Sequence, residues 1–231
     1  MEMRWLHEKI EYYRRKLFDK NEQVSFDGSK FTKLKGAEPP NQSSKLLIDW
    51  AVDRINKTNM QPKSLYDICC GIGIIGLTMS KRVPSLEYIY YSDINPRNIS
   101  SLLLNGSKLI VDRCSISDGV KNVYNNQKFD IIISNPPHFL TGEAKDIAQV
   151  DSDLKFHKEF YASAHEYLNP NGEVWFLETN QEIPVDAIKS IVETNKKLKW
   201  LGIEKLDYRY YYISMVGLTP RRKKSDAQVA P

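Results

Sequence analysis

The 231-residue chain has only three cysteines, Cys69, Cys70 and Cys114, an odd number with two of them adjacent. Such usage suits neither a disulfide framework nor zinc-ligand spacing and implies reduced, mostly buried thiols. Long apolar runs are missing as well. No stretch approaches the roughly 20 uninterrupted apolar residues of a membrane span, and Met1-Glu2-Met3-Arg4 leads into no apolar segment of signal length. A cytoplasmic protein is therefore expected. Charge of one sign is scarce: 33 Lys and Arg against 29 Asp and Glu leave +4, too little to announce a nucleic-acid partner without local basic clusters. The one basic run, Arg221 to Lys224, reads as solvated tail. His7, His157 and His165 fall on predicted helices with no second ligand at metal spacing, so they read as surface or packing residues and no metal is expected.

What is present is ordinary for a folded protein, with 41% hydrophobic and 27% charged residues, and the length suggests one core plus an elaboration. Leu6, Ile10, Tyr13 and Leu17 recur at helical spacing. Residues 19–44 break that pattern with Gly28, Gly36, Pro39 and Pro40 and read as a loop or small subdomain. Residues 1–43 are thus taken as an N-terminal helix and lid segment, 44–218 as the core, and 219–231 as a disordered tail. Aromatics crowd the lid segment (Trp5, Tyr12, Tyr13, Phe18, Phe26 and Phe31) and either close over a substrate or simply pack.

Within the core, helix and strand patterns alternate. Predicted strands are Leu65–Cys69, Tyr88–Ser92, Leu109–Arg113, Phe129–Ser134, Gly172–Glu178, Trp200–Leu206 and Tyr210–Leu218; predicted helices are Ile75–Arg82, Pro96–Asn105, Leu154–Tyr167 and Val185–Asn195. The alternation argues for an α/β fold, a largely parallel, doubly wound sheet with helices on both faces. Only Asp207-Tyr208-Arg209 separates the last two strands, so they must pair as an antiparallel hairpin.

Two motifs carry chemistry. Asp67-Ile68-Cys69-Cys70-Gly71-Ile72-Gly73-Ile74-Ile75-Gly76 joins the first core strand to its helix, where glycines let a backbone turn tightly and approach a ligand. Asp93, ending the second strand, is placed to accept both hydroxyls of a ribose. A dinucleotide could use the same features, but Asp67 opening the turn would repel a pyrophosphate and suits the cationic amino and sulfonium groups of S-adenosylmethionine. The second motif, Ser134-Asn135-Pro136-Pro137-His138, ends the fourth strand. Two prolines fix φ and remove amide donors. The Asn135 side-chain oxygen and the Pro136 carbonyl can then each accept a hydrogen bond from one NH2 group, aiming its nitrogen with no strong base in the site.

Together these residues resemble the class I S-adenosylmethionine-dependent methyltransferases, and among them the Asn-Pro-Pro group that modifies amide or exocyclic amino nitrogens, such as the glutamine methyltransferases of release factors and adenine methyltransferases. The likeness spans about Ser44 to Glu178 and implies a Rossmann-like seven-stranded methyltransferase sheet ending in an antiparallel hairpin. It implies that Asp67, Gly71 and Gly73 contact the methionine end, Asp93 the ribose hydroxyls and Asp118 the adenine amino group, with Cys69 and Ile94 also in the cofactor site. Asn135 would lie beside the cofactor while Asn135, Pro136 and His138 serve the acceptor. Those families usually carry Tyr, Phe or Trp where this chain has His138, and a histidine can stack, donate a hydrogen bond or take a proton.

Three reactions fit this reading. The first is N-methylation of a small-molecule amine or amide held by Asn135-Pro136-Pro137, since the stretch before the core is shorter than the helical domain of release-factor enzymes. The second is adenine N-methylation of RNA. The third keeps the cofactor and changes the bond: the amino group of S-adenosylmethionine attacks its own aminocarboxypropyl chain and releases methylthioadenosine.

Overall fold

A computed structural model describes residues 19–106, 113–121, 123, 127–137, 151–180, 183–206 and 210–220. The helix expected over Leu6–Leu17, the segment Leu109–Asp112, His138 and the tail from Arg221 lie outside the described residues.

Seven strands form one sheet in the order β5-β4-β3-β6-β7-β9-β8, from β3 (Ser64–Ile68), β4 (Tyr88–Asp93), β5 (Cys114–Ile116), β6 (Phe129–Ser134), β7 (Leu168–Thr179), β8 (Leu198–Lys205) and β9 (Tyr211–Leu218). β3, β4, β5, β6 and β7 pair in parallel, while β9 inserts antiparallel between β7 and β8. The expected doubly wound sheet with its closing hairpin is present. Its third strand runs over Cys114–Ile116, C-terminal to the expected Leu109–Arg113.

Parallel strands are buried on both faces, so their side chains must feed two cores. Leu65, Ile131, Ile133, Trp175 and Leu177 pack on one side with Leu47, Ile48 and Ala51 of α1 (Gln42–Thr58), Ile75 and Met79 of α2 (Ile74–Arg82) and Ile99 and Leu102 of α3 (Pro96–Asn105). Tyr66, Ile132, Val174 and Phe176, one residue out of phase, pack on the other with Phe160 and Tyr161 of α4 (Lys155–Ser163) and Ile188 and Val192 of α5 (Val185–Thr194). The period of two in the strands divides the molecule into its layers.

The segment read as a loop or subdomain contains a hairpin. β1 (Glu22–Phe26) and β2 (Ser29–Lys33) pair antiparallel around Asp27-Gly28, whose φ values of 46° and 73° match the mirror-image turns that favour an Asp-Gly pair. Phe31 is 3% exposed and joins the core under α1, so this aromatic packs. α3 holds the hairpin and the chain that follows it. Asn105 accepts from Thr32 N (2.6 Å) and donates to Thr32 O (3.0 Å), Ser101 Oγ accepts from Leu34 N (3.1 Å), and Asn98 Oδ1 accepts from Glu38 N (2.8 Å). Asn98, Ser101 and Asn105 recur at three and four residues and share one helix face. Among the described residues no helix is long and apolar enough to cross a membrane.

Asn105→Ala leaves the Thr32 backbone donor and acceptor without their partner and is expected to cost about 1–2 kcal/mol. The loss should be local: hydrogen exchange should rise across 22–33 while amides of β3 and β6 keep their protection. Equal loosening of both regions would contradict this attachment.

Candidate active site

In a parallel sheet every strand delivers its C-terminal residue to the same edge. β3, β4 and β6 are adjacent, so that edge gathers the glycine turn, Asp93 and Asn135. Ser134 fixes the spacing between two of them, its hydroxyl donating to Ile68 O at 2.7 Å in a fully buried position. The Asn-Pro-Pro corner and the glycine turn are thereby tied at their roots.

The turn is left-handed at Cys69, Gly71 and Gly73, with φ of 57°, 54° and 87°. Gly73 has a steric reason as well: a Cβ there would lie 2.3 Å from Leu102 of α3. Beside Gly71 a Cβ would meet nothing within 4 Å, so the turn presents bare backbone to open space. Asp67 opens the turn at the end of β3. It is fully buried, with Oδ2 accepting from Gly76 N (2.8 Å) at the start of α2 and Oδ1 without a hydrogen-bond partner. Asp67 thereby ties the end of β3 to the start of α2 beneath the glycine turn.

Asp93 is also buried, at 6% exposure. Its Oδ2 accepts from Gly71 N (2.8 Å), and Oδ1 from Asn95 N (2.8 Å) and Asn98 Nδ2 (3.0 Å). One carboxylate thus staples the turn, the end of β4 and α3, and Oδ2 keeps a second lone pair. Burial raises its pKa, with the Asn95, Gly71 and Asn98 hydrogen bonds opposing. Next to it Ile94 is 44% exposed, and Ile116, opposite Asp93 in the β4–β5 register, is 53% exposed, two apolar surfaces of the kind a flat ring can rest on. Asp118 lies beyond β5, half exposed and paired with Lys121 at 2.6 Å.

Asn135 follows β6 and is half-buried, and Pro136 is buried. Asn135 Nδ2 lies 3.2 Å from each of Asn41 Oδ1, Ser43 Oγ and Ser44 Oγ at the N-terminus of α1. Sequence reasoning missed these three residues, because a side chain 91–94 positions away leaves no periodic signal, and it read Ser134 only as the start of the Asn-Pro-Pro motif.

His157 also reads differently in three dimensions. It is fully buried, its Nδ1 against Asp151 Oδ2 and its Nε2 3.1 Å from Glu178 Oε1. It is a buried ion-pair centre linking the start of α4 to the end of β7. Burial alone would lower its pKa, but Glu178 and Asp151 outweigh that and push it up to about 9. Asp67 shifts the same way for another reason: burial, against the Gly76 hydrogen bond and with repulsion from Asp93, raises it to about 8.

These shifts have a common sign for stability. Both folded-state pKa values exceed the unfolded ones, so the folded protein binds protons that the unfolded chain has released. The His157 contribution is complete below its ordinary value of 6.5 and lost as pH rises through about 9, and the Asp67 contribution declines as pH rises from 3.8 to about 8. The melting temperature without ligand is expected to fall between pH 6.5 and 9, less steeply in Asp67→Asn; a midpoint that rises over this range would refute the assignment.

Comparison with known proteins agrees with this geometry. The family described as "Methyltransferase small domain" matches residues 39–200. A release factor glutamine methyltransferase of Clostridium acetobutylicum is 29% identical over 168 residues, covering 65% of this chain and 58% of that protein. A tRNA1(Val) (adenine(37)-N6)-methyltransferase of Actinobacillus pleuropneumoniae is 24% identical over 141 residues, 58% of this chain and 57% of that one. The chain therefore spans less than two thirds of these curated relatives. Among solved structures, the T. thermophilus 16S rRNA N2 G1207 methyltransferase in complex with AdoMet and guanosine superposes with a TM-score of 0.61 at 17% identity, covering 87% of this chain and 50% of that one. A ribosomal protein L11 methylase of Lactobacillus delbrueckii subsp. bulgaricus gives 0.58 at 13%, covering 78% and 81%. With more than half of its length matched, the chain belongs to the methyltransferase small domain family, within the class I S-adenosylmethionine-dependent methyltransferases.

Proposed function

We propose that this protein transfers a methyl group from S-adenosylmethionine to an NH2 group on a planar carbon, a glutamine side-chain amide of a protein being the first acceptor and adenine N6 of a tRNA the second. The observation that carries the reading is the Asn135 amide, held by its nitrogen end at the same sheet edge as Asp93 and the glycine turn. Both acceptors are macromolecular because the relatives' names specify a release factor and a tRNA. The small-molecule acceptor expected from the sequence draws no support from them.

Several features support the cofactor's place. Gly71 offers open backbone, Asp93 Oδ2 a remaining lone pair for a ribose hydroxyl, and Ile94 and Ile116 apolar surface for an adenine ring. Asp118 stands near enough in sequence to Ile116 to serve the adenine amino group, and Cys69 and Gly73 shape the turn. When bound, S-adenosylmethionine supplies an already activated methyl carbon. What remains for the chain is orientation and exclusion of water. Asn135 Oδ1 and the Pro136 carbonyl accept the two N–H bonds of the acceptor, leaving the nitrogen's remaining electron density directed at the carbon. Neither group is a base of consequence, so a proton must leave to solvent or to His138.

Products separate the readings. Labelled S-adenosylmethionine with a recombinant release factor or unmodified tRNA is expected to give S-adenosylhomocysteine and methylated macromolecule, whereas methylthioadenosine formed from cofactor alone would overturn methyl transfer. Two substitutions should then fail differently. Asp93→Ala removes a charged acceptor and is expected to weaken cofactor binding by about 1.5–3 kcal/mol in calorimetry. Asn135→Ala should lower turnover at saturating cofactor by on the order of 100-fold with cofactor affinity changed less than about threefold. The reverse pattern for Asn135→Ala would make the corner a part of the cofactor pocket instead.

A further inference from the structure

Side-chain amides are nearly symmetric in shape and opposite in polarity at their two ends, so an Asn that must accept a hydrogen bond needs its nitrogen committed elsewhere. Here the orientation can be traced to a group with no choice. The Ser44 backbone N–H at the start of α1 can only donate, and it meets Asn41 Oδ1 at 2.9 Å as the helix cap. That contact turns the carbonyl end of Asn41 inward. The Ser43 and Ser44 hydroxyls then donate to the same oxygen, at 2.7 and 3.0 Å. With their protons directed there, both serines turn lone pairs toward Asn135, whose Nδ2 lies 3.2 Å from all three oxygens. The opposite orientation would set the Asn135 carbonyl against Asn41 Oδ1, which has no proton to offer, and would require the serine hydroxyls to turn away from the cap. Ser43 and Ser44 are 5% and 8% exposed, so water cannot easily replace what they provide.

We propose that Asn41, Ser43 and Ser44 are positioning residues that fix which end of the Asn135 amide faces the acceptor, so that the N-cap of α1 determines the polarity of the methyl-accepting corner; this rests on the methyl-transfer reading above. Nδ2 is spent on the cap, and Oδ1, on the other side of the amide, becomes the hydrogen-bond acceptor. The cap residues never touch substrate. They act through Asn135, and their removal lets the amide turn over and present a donor to a donor.

The test reads geometry and turnover separately. In 15N-labelled protein the Asn135 side-chain NH2 resonances are identified as the pair lost in Asn135→Asp. Their exchange with water is expected to be several-fold slower than that of an exposed asparagine and to become fast in Ser43→Ala/Ser44→Ala. Asn41→Asp keeps an acceptor toward every one of these donors and should retain the slow exchange. In the same double variant, labelled methyl incorporation into release factor or tRNA should fall about ten-fold at saturating cofactor, with calorimetric affinity for S-adenosylmethionine within about twofold. If the pair does not fold, the two single variants are read in the same way. Fast exchange in the wild-type protein, exchange unaltered by losing both hydroxyls, or unchanged turnover overturns the proposal. A wild-type protein that methylates neither acceptor instead counts against the methyl-transfer reading, and the exchange result still decides the geometry.

Discussion

The buried carboxylate of Asp93 is the junction on which the ligand edge depends. One side chain at the end of β4 receives Gly71 N from the glycine turn, Asn95 N from its own chain and Asn98 Nδ2 from α3. An ionised group enclosed to this extent is tolerable only when its oxygens are satisfied, and the donors that satisfy it are the ones that shape the site. Asn98 passes the connection on, since its other end accepts from Glu38 N. Glu38 belongs to the segment that runs from the hairpin to Asn41, and Asn41 meets Asn135. The Asp93 edge and the Asn135 corner are therefore joined twice, beneath by Ser134 bridging β6 to β3 and above by residues 34–44.

This arrangement explains what was legible in the sequence. Burial on both faces makes β3 and β6 continuous apolar runs, and the alternation of such runs with amphipathic helices fixed the sheet and its hairpin end. That the glycine turn, Asp93 and Asn135 share one edge was legible because each follows a parallel strand. Burial was harder to foresee. Asp67 reads from the sequence only as an acid opening the turn, and folding sets its carboxylate against the start of α2. His157 looks like one more helical histidine, and only folding brings Asp151 and Glu178 to its two ring nitrogens. The hairpin did leave a signal, Asp27-Gly28 between Phe26 and Phe31, masked by the polar residues around it. The bonds from Asn41, Ser43 and Ser44 to Asn135 left none, since they join distant points of the chain.

The two buried titrating centres have different parts. Asp67 sits under the glycine turn, where burial and the nearby Asp93 raise the cost of its ionisation. His157 instead locks α4 to β7 on the opposite face and is charged because two carboxylates require it. Both make stability fall as pH rises, Asp67 from 3.8 to about 8 and His157 from 6.5 to about 9.

The central claim is that the Asp93 edge and the Asn135 corner form a single methyl-transfer site. A crystal structure with S-adenosylhomocysteine tests it most directly. A ribose hydroxyl is expected within about 3 Å of Asp93 Oδ2, with the sulfur directed toward the side of Asn135 that carries Oδ1. A nucleoside bound away from β4, or a sulfur turned away from Asn135, would contradict it.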